Sequence, residues 1–257
     1  MRTVSTDELR DWLRSPLGSY LLEREQAYYD QAVADVFGFN AVQFGLTGVD
    51  FLRACRIPLR FTLGPAREAD VRAELCQIPL ESNSIDLIVL PHVLEFSANP
   101  HQILREVERC LRPEGCVLVS GFNPRSLWGL RRLLAREPRI FPWTGEFISL
   151  PRLKDWLKLL GFEVSAGRFV CYAPPVTTEQ WLARFGFLER VGDRWWPISG
   201  GVYLLEAIKR VPGMRIIRPG WVARPAAKPS LASLTHKLEG DGRRLTAREA
   251  LEWEEAA

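Results

Sequence analysis

The stretch that decides the fold is residues 84–121, SIDLIVLPHVLEFSANPHQILREVERCLRPEGCVLVSG. After polar residues, SIDLIVLP is an unbroken apolar run, the pattern of a strand buried on both faces. NPHQILREVERCL carries Leu104, Val107 and Leu111 on one face of a helix, with Pro100 suited to its first turn. RPEG reverses the chain: Pro113 cannot continue the helix and Gly115 is free to take positive φ. CVLVSGF is a second buried strand, so strand, helix and strand predict parallel pairing through a right-handed crossover. Asp86, just ahead of the apolar residues, is placed to brace the start of its strand.

Working outward, residues 6–36 read as helix with a break at Ser15 and Pro16 and an N-cap at Thr6. Residues 40–45 and 59–63 read as strands, and 48–56 as a short helix. Residues 124–147 form an insertion rich in Pro, Arg and Trp. A helix from near Ser149 closes at Gly161, EVSAGRFVCYAP (163–174) follows as a strand, and GGVYLLEAIKRV (200–211) reads as the final strand. From 222 the chain is polar, proline-rich and aperiodic, which predicts a flexible tail, with a short helix at 245–255. The expected organisation is a helical segment at 1–37, the main domain at 38–221 and the tail at 222–257.

Bulk properties narrow the class. With 257 residues, 47% apolar and 25% charged, the chain can bury a sizeable core. A net charge of +3 permits an anionic partner without the concentrated basic stripe expected for nucleic acid. No stretch reads as a secretory signal or approaches the ~18 apolar residues of a membrane span. The five cysteines form no CxxC pair and read as reduced core thiols, and the three histidines are scattered, so a cytoplasmic protein without a metal site is expected.

The ordered parts IPL, SIDLIVL, HVLEF, REVERCLRPEG and VLVSG within 78–121 resemble the type 11 branch of the class I S-adenosylmethionine-dependent methyltransferases. The resemblance spans roughly residues 40–172 and implies an α/β fold: a Rossmann-like, doubly wound, mostly parallel seven-stranded sheet with a reversed last strand and helices on both faces. It also implies S-adenosylmethionine as cofactor. In that family the first strand ends in an acid followed by a GxGxG-like turn. Here Gln43 holds the acid's place, Gly45 is kept, Thr47 and Val49 stand at the second and third glycine positions, and Gly48 is one place off; the resemblance makes Gln43, Gly45, Thr47 and Gly48 cofactor-binding candidates. The family's second strand usually ends in a carboxylate that grips the ribose, whereas LRFTLGPARE has none before Glu68; Glu68 or Asp70 would have to swing in from the wrong spacing. Glu74 aligns with the family's acid at the adenine amino group, and Leu75 with its apolar neighbour; a solvated charge is the other reading of Glu74.

Ligands in such sheets bind beyond the carboxyl ends of the strands. Pro91, His92 and Glu95 lie at one such end, and Ser120, Phe122 and Asn123 at another. His92 is the candidate catalytic base, with a buried structural histidine as the competing reading. Tyr20, Tyr28 and Tyr29 could close over the cofactor or simply pack. Trp128 and its leucines, with Arg125, Arg131 and Arg132 and the following RIFPWTGEF (139–147), would overlie the acceptor pocket and suit an apolar or anionic small molecule; a helix packed on the core with its arginines in water is the other reading. A peripheral membrane role and the oligomeric state stay open. The expected function is methyl transfer to an unidentified acceptor; the alternative is a non-catalytic binding protein on the same scaffold. A nicotinamide dehydrogenase fits poorly, because the glycine fingerprint is broken and no acid ends the second strand to hold the ribose.

Overall fold

The apolar run 84–91 forms the middle of the sheet. In the computed structural model, residues 11–134, 141–196 and 198–211 are described. The strands are β1 (Asn40–Phe44), β2 (Leu59–Gly64), β3 (Val71–Arg72), β4 (Ile85–Pro91), β5 (Leu111–Phe122), β6 (Phe162–Val170) and β7 (Val202–Lys209). They form one seven-stranded sheet in the order β3-β2-β1-β4-β5-β7-β6. β7 alone runs antiparallel to its neighbours β5 and β6, while the pairs from β3 to β5 are parallel.

Alternation along the strands explains why both faces are covered. Leu87 and Val89 of β4 enter one core with Leu118 of β5, while Ile88 and Leu90 enter the other with Val117 and Val119. The first core is closed by α1 (Pro16–Ala34) and Trp128 of α3 (Leu127–Leu134). The second is closed by Ile103, Leu104 and Val107 of α2 (Pro100–Cys110) and by Leu153 and Leu157 of α4 (Leu150–Leu159). Ser15 caps α1 through a 3.1 Å bond from the Gly18 amide, with Pro16 at the first turn. Asp86 braces the start of the sheet as expected: its carboxylate accepts from the amides of Phe39 (2.7 Å) and Asn40 (2.9 Å).

Several local expectations are corrected. Residues 48–56 form turns rather than a helix, because a single turn this short is held by side-chain bonds and not by a helical ladder. The RPEG segment falls inside β5, where residues 112–115 have no partner on β4 or β7 and bulge from the ladder. β5 begins at Leu111, and its register against β4 shifts between Leu111 and Cys116. The left-handed residue there is Glu114 (φ 65°), not Gly115, whose missing side chain is instead required because a Cβ would come within 2.9 Å of the Arg112 carbonyl. Between β6 and β7 two short helices appear, α5 (Glu179–Arg184) and α6 (Phe187–Trp195). The Thr6 cap, the tail from 222 and its short helix lie outside the described residues. Among the described residues no helix is long and apolar enough to cross a membrane.

Candidate functional site

The carboxyl ends of β1, β2 and β4 open onto a cleft of about 290 Å³. β1 delivers Gly45 and Thr47, β2 delivers Gly64 and is followed by Pro65 and Ala66, and β4 delivers Pro91. Glu74, Leu75 and Cys76 close one wall, and Val93 and Phe96 another. The sequence candidates Gly45, Thr47, Glu74, Leu75, Pro91 and His92 are thus brought together at one cleft. Gly48 stands exposed in the turn and Gln43 is fully buried; neither lines the cleft.

Gly45 sits at φ 64°, a conformation that suits glycine, and a Cβ there would lie 3.2 Å from Val93 Cγ2. The backbone is therefore bare toward the cleft. Gln43 organises this loop from below. Its amide nitrogen donates to the carbonyls of Val49 (2.7 Å) and Leu46 (3.1 Å), and its oxygen accepts from the Phe51 amide (2.9 Å). A neutral amide can donate and accept in this way, which a carboxylate cannot. The cofactor-contact expectation for Gln43 is replaced by a scaffolding one.

The cleft contains groups suited to a nucleoside ligand. Among the described residues, the buried Thr47 hydroxyl has no hydrogen-bond partner, and the Glu74 carboxylate makes no hydrogen bond or ion pair. No carboxylate stands at the end of β2. Asp70 does not swing in, because its Oδ2 accepts from both the amide and the hydroxyl of Thr62, at 2.8 and 2.9 Å. Those bonds hold its carboxyl below the usual range.

His92 departs from the open base expected of it. Its backbone is left-handed (φ 50°), and the side chain is only 3% exposed. Nε2 lies 2.8 Å from Glu25 Oε1 and Nδ1 lies 3.3 Å from Glu95 Oε1, so both nitrogens are taken. Its ring packs 4.2 Å from that of Phe122, on the α1 side of the sheet. Burial alone would lower its pKa, but the Glu25 and Glu95 carboxylates outweigh that and hold it up to about 10. A ring already protonated at neutral pH cannot act as a base. Glu95 also accepts from the Phe122 amide, so the cluster ties α1, β4 and β5 together. Asn123 is structural too, its amide donating to the carbonyls of Ile198 and Gly200. Tyr20 and Tyr29 are buried and do not reach the cleft; Tyr29 packs on Phe51.

Sequence reasoning missed Glu25, 67 residues from His92. The signal was present: Leu17, Leu21, Glu25, Tyr29 and Val33 recur every fourth residue and all are buried, so a charge sits inside an apolar stripe. Phe141, inside the 139–147 stretch expected over the acceptor pocket, was not singled out. This ring stacks on Phe96 at 4.9 Å and lines both the cleft and a second, larger groove of about 900 Å³. The groove is apolar, walled by Leu127, Leu130, Leu134, Trp143 and Val176, with Arg131 at its wall. Cys76 likewise departs from the core-thiol reading, being half-buried in the cleft, whereas burial pushes Cys116 up to about 12.

Residues 46–119 match the family described as methyltransferase domain. The chain is 30% identical over 161 residues to the uncharacterized protein YafS of Escherichia coli K12, covering 62% of this chain and 67% of that one. It is 28% identical to a malonyl-[acyl-carrier protein] O-methyltransferase of Methylovorus sp. over 42% of this chain and 36% of that protein. In fold it resembles an S-adenosylmethionine-dependent methyltransferase from Thermotoga maritima, at a TM-score of 0.57 and 18% identity over 80% of this chain and 98% of the other.

Proposed function

The chain belongs to the class I S-adenosylmethionine-dependent methyltransferase family, and on that premise we propose that it methylates an apolar or anionic small molecule held in the groove beside Phe141. The observation that carries this is the junction of the two cavities. Phe141, stacked on the cleft's Phe96, lines both a cleft with nucleoside-suited groups and an apolar groove large enough for an acceptor.

The sulfonium of the bound cofactor supplies an electrophilic methyl group, which leaves positioning as the protein's main task. Gly45 and the Thr47 hydroxyl would meet the carboxypropyl end, Glu74 would accept from the adenine amino group, and Leu75 and Pro91 would flank the base. His92 is a positioning residue in this reading, a buried cation clamped between two carboxylates that keeps the β4 exit rigid.

Calorimetric titration with the demethylated product of S-adenosylmethionine tests the cleft. Binding is expected, and Gly45→Val should abolish it by filling the bare backbone and straining a left-handed position. Absence of heat and of any thermal shift at millimolar ligand overturns the enzymatic reading. One observation favours a second reading, a binding protein that has lost the cofactor: β2 ends in Gly64, Pro65 and Ala66, with Asp70 pinned away. That outcome would leave the groove, and not the cleft, as the functional cavity.

A further inference from the structure

Helix α3 carries an apolar face that nothing described covers. Leu133 is 77% exposed and Leu134 71%, and Leu127 and Leu130 are half-exposed. The same helix forms a wall of the groove through Leu127, Leu130 and Leu134. On its other side Leu127, Leu130 and Leu133 share a shallow depression with Ser199. Ser199 closes a turn with Trp196, so the exposed Trp196 and Ile198 continue the apolar surface.

Arginine predominates in the two segments that carry this surface, with Asp193 just ahead of the second. Residues 125–134 contain Arg125, Arg131 and Arg132 and no acid, and residues 194–199 contain Arg194 and no acid. Arg131 and Arg132 lie over the rings of Trp143 and Phe147 at 5.1 Å each. None of the four arginines forms an ion pair among the described residues. Exposed leucine and tryptophan beside unpaired arginine is the composition of an interfacial surface, apolar groups entering the acyl boundary and cations meeting lipid phosphates.

We propose that α3 and the 194–199 turn seat this protein on an anionic lipid layer. The groove opens at the same helix and reaches the cleft at Phe141. An apolar acceptor would therefore pass from the layer to the cleft without crossing water, a consequence that rests on the methyl-transfer reading. The docking itself does not.

Flotation of the full chain with vesicles tests the proposal. Vesicles of phosphatidylcholine with one third phosphatidylglycerol are compared with vesicles of phosphatidylcholine alone. Binding is expected to the anionic vesicles and to fall as salt is raised. Arg125→Gln and Arg194→Gln should each weaken it roughly fivefold. Leu133→Glu and Ile198→Glu, at exposed positions that line neither cavity used for ligands, should weaken it on the order of tenfold. Circular dichroism and titration with the demethylated cofactor product check that each variant is folded and keeps the parent's cleft, so a failure of docking is distinguished from a failure of the cofactor reading. Equal binding to both vesicle types, or no loss in either glutamate variant, overturns the proposal. So does self-association that the glutamates dissolve without vesicle binding, which assigns the face to a second copy of the chain.

Discussion

Restoring an acid at the end of β1 should harm this protein. In Gln43→Glu one carboxylate oxygen can still accept from the Phe51 amide, but the other replaces a donor facing the carbonyls of Val49 and Leu46 at 2.7 and 3.1 Å. Two donated bonds are lost, at about 0.5–1.5 kcal/mol each. A buried charge without a partner adds a penalty that reaches about 3–5 kcal/mol when no proton neutralises it. Burial therefore raises the folded-state pKa of the new carboxyl above its ordinary value of about 4.3. The sign follows: the unfolded chain releases the proton first as pH rises, so the variant loses stability above about pH 4.3. We expect a deficit of about 4–8 kcal/mol at pH 8, shrinking to about 0.5–1.5 kcal/mol near pH 4, where protonation restores one donor. Urea denaturation at several pH values measures it. Gln43→Met, close in volume but without polar atoms, is the comparison and should show a deficit with no such pH dependence. A glutamate variant as stable as the parent at pH 8, or one that gains stability with pH, refutes the scaffolding role.

Three further outcomes are expected. Because the His92 pKa is raised from 6.5 to about 10, its contribution to stability is full below about pH 6.5 and is lost as pH rises toward 10. The parent's unfolding free energy should fall across that window and that of His92→Gln should not, as read by urea melts from pH 6 to 10. Glu74→Ala should weaken binding of the demethylated cofactor product by about 1–3 kcal/mol while leaving the melting temperature unchanged, and unchanged affinity in calorimetry would return Glu74 to a solvated charge. Asp86→Ala removes the acceptor for the Phe39 and Asn40 amides at the start of β1 and should cost about 2–4 kcal/mol in denaturation, with cofactor-product affinity retained.

The order of strands and helices was legible because it rests on local patterns. The continuous apolar runs at 84–91 and 116–122 require cover on both faces, the helix between them has one apolar face, and crossover handedness then sets a parallel pair. The cleft's position followed, because such sheets bind ligands beyond the carboxyl ends of their strands. Gly45 and Glu74 were found through the family resemblance, and they lie one and two residues past the ends of β1 and β3.

What tertiary structure alone decided is the partner of each polar group. Whether His92 is open or sealed depends on Glu25, brought to it by the docking of α1 and not by any spacing near residue 92. Gln43 was read as a damaged acid because its residue type was compared with a pattern; its actual task is visible only once the Leu46 and Val49 carbonyls and the Phe51 amide have converged on it. The groove beyond Phe141 has the same origin, since α3 and the loop after β6 meet there from positions more than forty residues apart. Periodicity reports which face of an element is apolar, because side-chain direction repeats locally. A hydrogen-bond or charge partner is specified by distance in space, and distance in space is a property of the assembled sheet and its helices.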